Sequence, residues 1–455
     1  MILFDGKIFD NAEQDRLLKE LEERIPDLLS REPLSPEVVI DAAYMLREDL
    51  LKGRFDGLLE AFPNEVAASY KAQAETLLSK EHLHMKLRAE LGDQDEFVTE
   101  YFEGFRQIKV KRMPLGVLFH IVAGNADFLP AYSLAEGLMA GNINILKLPS
   151  ADNGLSLELI MKLIEYRPEL KDYIYVFDTS SSDIRGMRKM AGLSSAISVW
   201  GSDTAIEAVR GLAPTGTKII EWGQKLGFCY ISGLDDVAAL EKELEGLAHH
   251  IASTKQFLCS SCQVIYIDTS DTNELRSFAA RFLPVLEAAA SANKPSDIGI
   301  RARDTLVSYT QRLKGFLGAG DAAGAANAAN AATTATADEA NGDQGSVLRG
   351  RSCSLIISED NKLELSPMMC NVLVKPLPRD QIGKVMYQNR YHLQTAGLIC
   401  PADDRDALAD LFTRAGLIRV TRASDMSSYF PGECHDGEYA LSRYTRLVNI
   451  ETDTL

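Results

Sequence analysis

From about residue 107 onward, short runs rich in β-branched and aromatic residues alternate with amphipathic segments. The first runs are "GVLFHIVA", "NINILKLP", "YIYVFD" and "AISVWG", and the segments between them include "LPAYSLAEGLMAG" and "LSLELIMKLIEY". Strands and helices in alternation predict right-handed crossovers and a parallel sheet covered by helices on both faces. The chain is therefore predicted to be a doubly wound α/β protein, whose ligands bind at the carboxyl ends of the strands.

A second alternating series begins near residue 228 with "FCYISGL" and continues through "CQVIYIDTS", "SCSLIIS", "MCNVLVKPLP" and "TAGLIC". A chain of 455 residues is also too long for one small core. We therefore predict one α/β domain over residues 105–225 and a second over 226–425, followed by a C-terminal segment, 426–455. Residues 1–104 carry apolar residues mostly at helical spacing and are predicted to be an N-terminal helical segment.

The segment 318–345, "GAGDAAGAANAANAATTATADEANGDQG", interrupts the second series. It is poor in large apolar groups, so it cannot bury enough surface to offset the entropy lost on ordering. We predict a mobile surface loop here rather than a functional lid.

Composition excludes several classes of protein. The net charge of −17 argues against a nucleic-acid surface, because phosphate binding requires a basic face. No apolar run reaches the roughly 18 to 20 residues that span a bilayer, and "MILFDGKIFDN" lacks the features of a signal peptide. Seven cysteines scattered over the chain do not resemble a disulfide framework. These observations predict a soluble, cytoplasmic protein.

Several polar residues follow predicted strands of the first series. Asn125 and Lys147 come at strand ends, and Gly201-Ser202 opens a helix whose free N–H groups favour phosphate. Each also has a structural explanation, since Asn forms turns, a strand-end lysine is usually solvated and Ser is a common N-cap. Glu221 ends a strand at the junction of the two series, where it is either a general base or a structural ion-pair partner.

The stretch "TKQFLCSSCQVIYID" contains Cys259 and Cys262. Their spacing suits zinc, but zinc needs about four ligands, and no second knuckle of this kind occurs. A redox pair belongs at the start of a helix, whereas a strand follows Cys262. The remaining interpretation places Cys259 exposed in a loop and Cys262 at the start of the strand, with no metal site.

Taken in order, six motifs resemble the landmarks of the aldehyde dehydrogenase superfamily: "RMPLGVLFHIVAGN", "NINILKLPS", "VWGSD", "IIEWGQK", "QFLCSSCQVIY" and "ELSPMMCNVLVKPLP". Together with the terminal "PGECHDGEYALSRYTRLVNIE", they are most similar to the acyl-CoA reductase family that includes the fatty-acyl-CoA reductases of bacterial luminescence. The resemblance covers roughly residues 105–455. It implies an aldehyde dehydrogenase-like fold, with the first α/β domain binding the cofactor and the second catalytic. The C-terminal segment would return to the cofactor and oligomerisation region.

The resemblance also implies catalytic roles. Cys259 corresponds to the nucleophile and Cys262 to a bystander. Asn125 would share an oxyanion hole with the backbone N–H of Cys259, and Glu221 occupies the position of the superfamily's general base. A base at this position also suits an enzyme that hydrolyses its acyl-cysteine instead of letting it be reduced.

The cofactor residues implied by the resemblance are Lys147 and Ser150 at the adenosine ribose, Gly201-Ser202 at the pyrophosphate and Glu364 at the nicotinamide ribose. Ser150 replaces the acidic residue that repels the extra phosphate of NADPH in NAD-preferring relatives. Ala151 stands where the family often carries an arginine suited to that phosphate. NADPH is the predicted cofactor, and NADH is the alternative.

The activity implied by the resemblance is reduction of a long-chain fatty acyl-CoA or acyl thioester to the aldehyde through an acyl-cysteine, with release of CoA. The alternatives are an NAD(P)-dependent aldehyde dehydrogenase running oxidation, an acyl-phosphate reductase resembling glutamyl-phosphate reductase, and a non-catalytic subunit of an acyl-transfer complex. Acyl-CoA is the implied substrate, an acyl-protein synthetase is an implied partner, and a homo-oligomer is expected.

Overall fold

The computed structural model describes residues 1–60, 64–92, 98–103, 106–122, 129–149, 154–233, 237–293, 347–430 and 432–453. The chain divides into two compact units, the first formed by Met1–Gln224 with Tyr429–Leu455 and the second by Lys225–Ser428. The predicted loop 318–345 lies outside the described residues.

The strands of the described residues are numbered in chain order. They are β1 Ile2–Phe4, β2 Lys7–Phe9, β3 Val98–Glu103, β4 Arg106–Pro114, β5 Val117–Ile121, β6 Ile143–Lys147, β7 Ile174–Phe177, β8 Ala196–Trp200, β9 Lys218–Trp222, β10 Leu226–Ile231, β11 Cys262–Ile267, β12 Val347–Arg349, β13 Ser354–Ile357, β14 Asn371–Pro376, β15 Leu393–Ile399, β16 Arg419–Arg422 and β17 Thr445–Asp453.

The α-helices of the same residues are numbered likewise. They are α1 Gln14–Leu29, α2 Pro36–Leu51, α3 Asp56–Leu59, α4 Asn64–Leu77, α5 Lys80–Leu91, α6 Leu129–Met139, α7 Leu155–Tyr166, α8 Ile184–Gly192, α9 Asp203–Arg210, α10 Val237–Thr254, α11 Thr272–Ala292, α12 Ile382–Gln388, α13 Arg405–Arg414 and α14 Ala440–Arg443. None of these helices combines the length and apolarity that a membrane span requires.

The main sheet of the first unit confirms the predicted alternation. Its strand order is β2-β1-β7-β6-β5-β8-β9, and the strands from β5 to β9 run parallel. The order therefore reverses between β5 and β8, which is the point where a doubly wound sheet binds its ligands. β6 is buried along its whole length, as expected for a parallel strand covered on both faces.

The amino terminus contains two strands, β1 and β2, where the sequence predicted helices. β1 and β2 form an antiparallel hairpin, and β1 adds to the edge of the sheet beside β7. Asp5 and Gly6, the two residues of the hairpin loop, both have positive φ, at 50° and 71°. An Asp-Gly pair between apolar residues is a strong signal for such a turn, but strands of three residues are too short to show a periodicity.

The second unit contains another mostly parallel sheet, with the order β12-β13-β14-β11-β10-β15-β16. β10, β11 and β15 are its buried central strands. In this sheet the strand order reverses between β10 and β15. The residues that precede β11 and β15 in the chain meet at the same, amino-terminal edge of the sheet, because parallel strands begin at one edge.

The C-terminal segment returns to the first unit. β17 pairs with β4 in antiparallel register from Thr445↔Pro114 to Asp453↔Arg106, and β3 pairs with the other side of β4. Leu441 and Tyr444 precede β17, are fully buried and belong to the hydrophobic core of this unit.

Candidate active site

Two of the cofactor positions predicted for the first unit lie at the carboxyl edge of its sheet. Lys147 is the last residue of β6, and Gly201-Ser202 lies between β8 and α9. The chain leaves β5 at Ile121, beside β8, at the point where the strand order reverses. Asn125 follows β5, and Ser150 follows β6; both lie outside the described residues.

Lys147 is almost completely buried, with 4% of its surface exposed. Its Nζ donates a hydrogen bond to the Leu148 carbonyl at 2.9 Å. Burial lowers the pKa of this amine, and the nearby Asp178 carboxylate opposes the effect. An ammonium has three N–H donors, and one of them is used by a partner among the described residues, which suits Lys147 to a polar ligand at the strand end.

Ser202 caps helix α9, because its Oγ accepts a hydrogen bond from the Ala205 N–H at 3.4 Å. The Gly201 N–H donates to the Trp222 carbonyl at 3.2 Å, which connects the start of α9 to the end of β9. The predicted helix start is thus confirmed, and its position after β8 suits a phosphate.

Glu221 lies near the end of β9, and its carboxylate forms an ion pair with Arg210 of α9. The Nε and Nη2 atoms of Arg210 donate to Oε1 and Oε2 at 2.6 and 2.8 Å. The main-chain carbonyl of Glu221 accepts a further bond from Arg443 Nη1 at 3.2 Å. The sequence left Glu221 as either a general base or a structural ion-pair partner, and the structure contains the ion pair. No feature of the sequence had identified Arg210 as its partner.

An aromatic cluster was not predicted from the sequence. Trp200 and Trp222, the only tryptophans of the chain, stack at the ends of β8 and β9 with ring centroids 5.1 Å apart. His435 from the C-terminal segment lies 5.1 and 5.3 Å from the two rings, and the Arg443 guanidinium lies 4.5 Å from the Trp222 ring. In the sequence, the motif "GECHDGEY" was the one feature that pointed to His435. His435 reaches the ends of β8 and β9 because the C-terminal segment returns to the first unit.

In the second unit, Cys259 lies on a tight turn directly before β11 and is exposed. The Leu258 N–H donates to Ser261 Oγ at 3.1 Å, and the Ser261 N–H donates to the Leu258 carbonyl at 3.0 Å. Gln394 Nε2, at the start of β15, donates to the Cys259 sulfur at 3.1 Å. An N–H donor directed at the sulfur favours the charged thiolate. The sequence analysis did not identify Gln394, which lies within an ordinary apolar strand.

Cys262 differs from Cys259 in its burial and in its hydrogen bonding. It is fully buried at the start of β11, its Sγ donates to the Val264 carbonyl at 3.4 Å, and burial raises the pKa of its thiol to about 12. A thiol in this environment stays protonated and inert. Among the described residues, no group of cysteines, histidines or carboxylates is arranged to hold a metal ion. The geometry therefore separates the two cysteines into one accessible and one structural thiol.

Buried side chains brace the turn that carries Cys259. His250 Nε2 accepts from the Cys262 N–H at 3.2 Å, and Gln256 Nε2 donates to the Cys262 carbonyl at 2.9 Å. Lys255 and Gln256 have positive φ, as does Met369, whose N–H donates to the Lys255 carbonyl at 3.1 Å. Non-glycine residues in this conformation persist only where the surroundings enforce it, and they are often found at functional sites.

Glu364 lies on the segment before β14. This segment is hydrogen-bonded to the turn that carries Cys259, because Gln256 Nε2 donates to Ser366 Oγ at 2.8 Å. The Glu364 carboxylate pairs with the fully buried Lys375 and remains half exposed. Lys375 Nζ also donates to Asp360 at 2.8 Å. Although burial raises the pKa of Asp360, hydrogen bonds from Lys375, Ser358 and the Lys362 N–H outweigh it and lower that pKa to about 2.

The sequence of the chain is similar to those of a known protein family and of several reductases. The family model described as Acyl-CoA reductase (LuxC) matches residues 35–297 and 319–447. A long-chain acyl-protein thioester reductase of Vibrio harveyi is 26% identical over 206 residues, which cover 44% of this chain and 42% of the relative. The protein of the same name from Aliivibrio fischeri is 22% identical over 349 residues, or 75% of this chain and 65% of the relative. The matched stretches thus span less than two thirds of either relative.

Two solved structures show the fold. A putative aldehyde dehydrogenase from Burkholderia cenocepacia aligns over 100% of this chain and 97% of its own, with a TM-score of 0.70 and 14% identity. The glyceraldehyde-3-phosphate dehydrogenase GapN of Methanocaldococcus jannaschii, complexed with NADP, aligns over 98% and 95%, with a TM-score of 0.68 and 13% identity. The predicted aldehyde dehydrogenase-like fold is therefore confirmed. Since the family model spans most of its length, the chain belongs to the acyl-CoA reductase (LuxC) family.

Proposed function

We propose that the chain reduces a long-chain acyl-CoA or acyl-protein thioester to the aldehyde with NADPH, through an acyl group on Cys259. The observation that carries the proposal is the contrast between the two neighbouring thiols. Cys259 is exposed with an N–H donor at its sulfur, whereas Cys262 is buried with its thiol proton retained. A nucleophilic thiol must be accessible and must lose its proton, and burial excludes Cys262 on both grounds, so Cys259 is the candidate of this pair.

In the proposed reaction, the Cys259 thiolate attacks the thioester carbonyl, and CoA leaves as its thiolate. Asn125 and the Cys259 N–H would stabilise the oxyanion, a contribution of about 2.7 to 4 kcal/mol per donor. Gln394 would stabilise the Cys259 thiolate before attack and after its release. When bound, the reduced nicotinamide supplies a hydride to the acyl carbon. The resulting thiohemiacetal on Cys259 then expels the thiolate and releases the aldehyde.

The residues at the carboxyl edge of the first sheet fit a dinucleotide. Lys147 presents a buried ammonium at the end of β6, and Gly201-Ser202 presents the start of α9 after β8, next to the reversal of strand order. Lys147 and Ser150 are proposed for the adenosine ribose, Gly201-Ser202 for the pyrophosphate and Glu364 for the nicotinamide ribose. NADPH is preferred in this proposal because Ser150 carries no charge; GapN, a structural relative, binds NADP.

A long acyl chain suits the surface next to Cys259. Phe257 and Leu258, the two residues before it, expose 42% and 50% of their surface. Large apolar side chains at a nucleophile offer contact to a hydrocarbon chain, and each buried methylene contributes about 0.8 kcal/mol. The relatives named long-chain acyl-protein thioester reductases favour the same substrate class. An acyl-protein synthetase as donor is part of the proposal and follows from the resemblance of the sequence alone.

Mass spectrometry of the intact protein after incubation with tetradecanoyl-CoA, without cofactor, tests the proposal. We expect one acyl adduct that maps to Cys259, is absent from Cys259→Ala and is discharged as tetradecanal when NADPH is added. Cys434→Ala, which removes another partly exposed thiol, is the matched control and should form the adduct normally. An absent adduct, or one that persists in Cys259→Ala, would refute the acyl-cysteine route.

A further inference from the structure

The carboxyl edge of the second sheet contains a cavity that the proposed reaction does not use. It has a volume of about 460 Å³, which suits a small organic ligand, and it lies against the ends of β10 and β11 and one face of α11. Its lining residues all belong to the second unit. Cys259 precedes β11 and Asp268 of the cavity follows it, so the length of this strand, roughly 20 Å, separates the two.

The strand order of this sheet gives the cavity a defined place in the fold. The strands β10, β11, β14, β15 and β16, counted in this chain order, lie side by side and parallel in the order third, second, first, fourth, fifth. This is the order of a nucleotide-binding doubly wound sheet, in which a carboxylate after the second strand binds a ribose hydroxyl. Asp268 directly follows β11, the second strand in this count, and lines the cavity.

A buried hydroxyl of the cavity lacks a hydrogen-bond partner. Ser232 follows β10 and exposes 5% of its surface, and its Oγ has no partner among the described residues. A buried polar group without a partner costs free energy and is rare in folded proteins. A polar ligand in the cavity would supply the missing bond. Gly233 permits the turn beside it, since its φ is 66° and a Cβ there would lie 2.8 Å from Pro401 Cγ.

The Asp268 carboxylate is fixed at the end of β11. Its Oδ1 accepts a hydrogen bond from the Arg379 N–H at 2.9 Å, and its Oδ2 lies 3.5 Å from Arg379 Nε. An ionised carboxylate has about four acceptor positions, which is more than these contacts require. Asp268 is therefore held in place and can still accept a hydrogen bond from a ligand.

The α11 side of the cavity carries charges of both signs. Glu274 and Arg281 lie seven residues apart on α11 and therefore share one face of the helix, with Ser277 between them. The Arg281 guanidinium lies 3.9 Å from the Glu241 carboxylate and is about one third exposed. Carboxylates accept hydrogen bonds from hydroxyl groups, and a guanidinium binds phosphate. A nucleotide carries both of these groups in one molecule.

From this arrangement we propose that the cavity of the second unit binds a ribonucleotide with free ribose hydroxyls. Asp268 and Glu274 accept hydrogen bonds from the ribose, and Ser232 bonds to the ligand at the buried end of the cavity. Arg281 binds the 5′-phosphate. The two carboxylates would repel a phosphate attached to the ribose, which disfavours CoA and NADPH at this site. The inference therefore goes beyond the proposed function and does not rest on it.

Isothermal titration calorimetry of the full-length protein with AMP, GMP, CMP and UMP tests the proposal. We expect at least one of them to bind, and its 2′-deoxy form to bind roughly 10-fold more weakly, because a hydrogen bond to a carboxylate is lost. CoA and NADP should not displace the nucleotide from this site. A photoactivated azido analogue of the nucleotide should attach to peptides of residues 225–428 and not to those of 1–224.

Variants of the lining residues assign the roles. Asp268→Asn and Glu274→Gln should each weaken nucleotide binding by roughly 10-fold and reduce the preference over the 2′-deoxy form. Glu274 is exposed on α11, so its variant carries the test if Asp268→Asn fails to fold. Arg281→Gln should weaken binding of the nucleotide about two- to fivefold and leave binding of the nucleoside unchanged. Glu245→Gln, at an exposed glutamate of α10, is the matched control and should bind normally.

Ser232→Ala separates a ligand-binding hydroxyl from a structural one. Removal of an unpaired buried hydroxyl should raise the denaturant midpoint of the protein while it weakens nucleotide binding. The proposal is overturned if none of the four nucleotides binds at millimolar concentration, or if the azido analogue attaches only to residues 1–224. Equal affinity for the ribose and 2′-deoxy forms would also overturn it, as would unchanged binding in both Asp268→Asn and Glu274→Gln.

Discussion

At the scale of single residues, environment decides what each polar side chain can do. Cys259 and Cys262 are three positions apart, yet the first is exposed beside the Gln394 amide and the second is buried in β11. Burial favours the neutral form of a thiol, and a donor at the sulfur favours the anion. The same logic applies to Lys147, whose charge is buried at a strand end.

Replacing Lys147 tests the proposed cofactor site. Because hydrogen bonds to charged groups contribute about 1.5 to 3 kcal/mol, we expect Lys147→Met to weaken NADPH binding by roughly 10- to 100-fold. Titration of NADPH fluorescence measures the dissociation constant directly. Lys162→Met, which removes an exposed lysine on α7 paired with Glu165, is the matched control. Equal affinity of Lys147→Met and the unaltered protein would place the cofactor elsewhere.

At the scale of elements, a buried hydrogen-bond chain joins β5, α6 and β6. His120 on β5 bonds through Nε2 to Asn144 Oδ1 at 2.9 Å and through Nδ1 to Ser133 Oγ at 3.0 Å. Asn144 Nδ2 donates to the Asn142 carbonyl at 2.7 Å, so Asn144 Oδ1 is the acceptor and His120 Nε2 carries the proton. Nδ1 then accepts from the Ser133 hydroxyl, and the ring is neutral. This chain fixes the strand that precedes Asn125 and the helix that follows it.

His120 makes the stability of the first unit depend on pH. Burial lowers its pKa to about 4, although the bond to Asn144 opposes the shift. Between pH 6.5 and 4 the unfolded chain therefore binds a proton that the folded chain does not, so the free energy of unfolding falls as the pH falls through this range. One proton corresponds to about 1.4 kcal/mol per pH unit, or roughly 3 kcal/mol over the whole window. Above pH 6.5 the effect is absent.

The variant His120→Asn should be less stable at pH 7, with a shallower loss of stability between pH 6.5 and 4. Denaturant titrations followed by tryptophan emission report on the correct unit, because Trp200 and Trp222 are the only tryptophans and both belong to it. His84→Asn, at an exposed histidine of α5, should keep the slope of the unaltered protein. A slope in His120→Asn equal to that of the unaltered protein would contradict the assignment.

At the scale of the whole molecule, the two units differ in how the chain builds them. The second is one continuous stretch, Lys225–Ser428, whereas the first needs Tyr429–Leu455 from the far end of the chain. Leu441 and Tyr444 are fully buried in the core of the first unit, and β17 pairs with β4 along its entire length. The predicted site residues also divide between the units. The cofactor residues Lys147 and Gly201-Ser202 and the catalytic Glu221 belong to the first, and the catalytic Cys259 and the cofactor residue Glu364 belong to the second.

This organisation predicts that fragments of the two units differ in their ability to fold alone. Residues 225–428 expressed alone should unfold cooperatively by near-ultraviolet circular dichroism, while residues 1–224 alone should not, since they lack β17 and the buried side chains before it. In the intact chain, Tyr444→Ala should lower stability by about 3 to 5 kcal/mol, as expected for loss of a buried aromatic ring. Native-like cooperativity in 1–224 would show that the C-terminal segment is dispensable for this fold.

Much of the architecture could be read from the sequence because periodicity reports burial locally. β6, β8, β11 and β15 were recognisable as apolar runs between amphipathic segments, and their order implied the doubly wound sheets. The hairpin of β1 and β2 was missed, since three residues carry no period. The roles of Asn125 in the oxyanion hole and of Ser150 at the cofactor remain predictions.

The sequence by itself determined the fold class, the family and the distinction between an exposed Cys259 and a strand-bound Cys262. Only the tertiary structure decided which groups meet those residues: Gln394 reaches Cys259 from a strand 135 positions later, and His435 and Arg443 reach Trp222 from the C-terminal segment. Even the nearby Arg210 and Glu221 meet only because α9 packs beside β9. The physical reason is that burial pattern is a property of consecutive residues, whereas a hydrogen-bond partner depends on how distant segments pack.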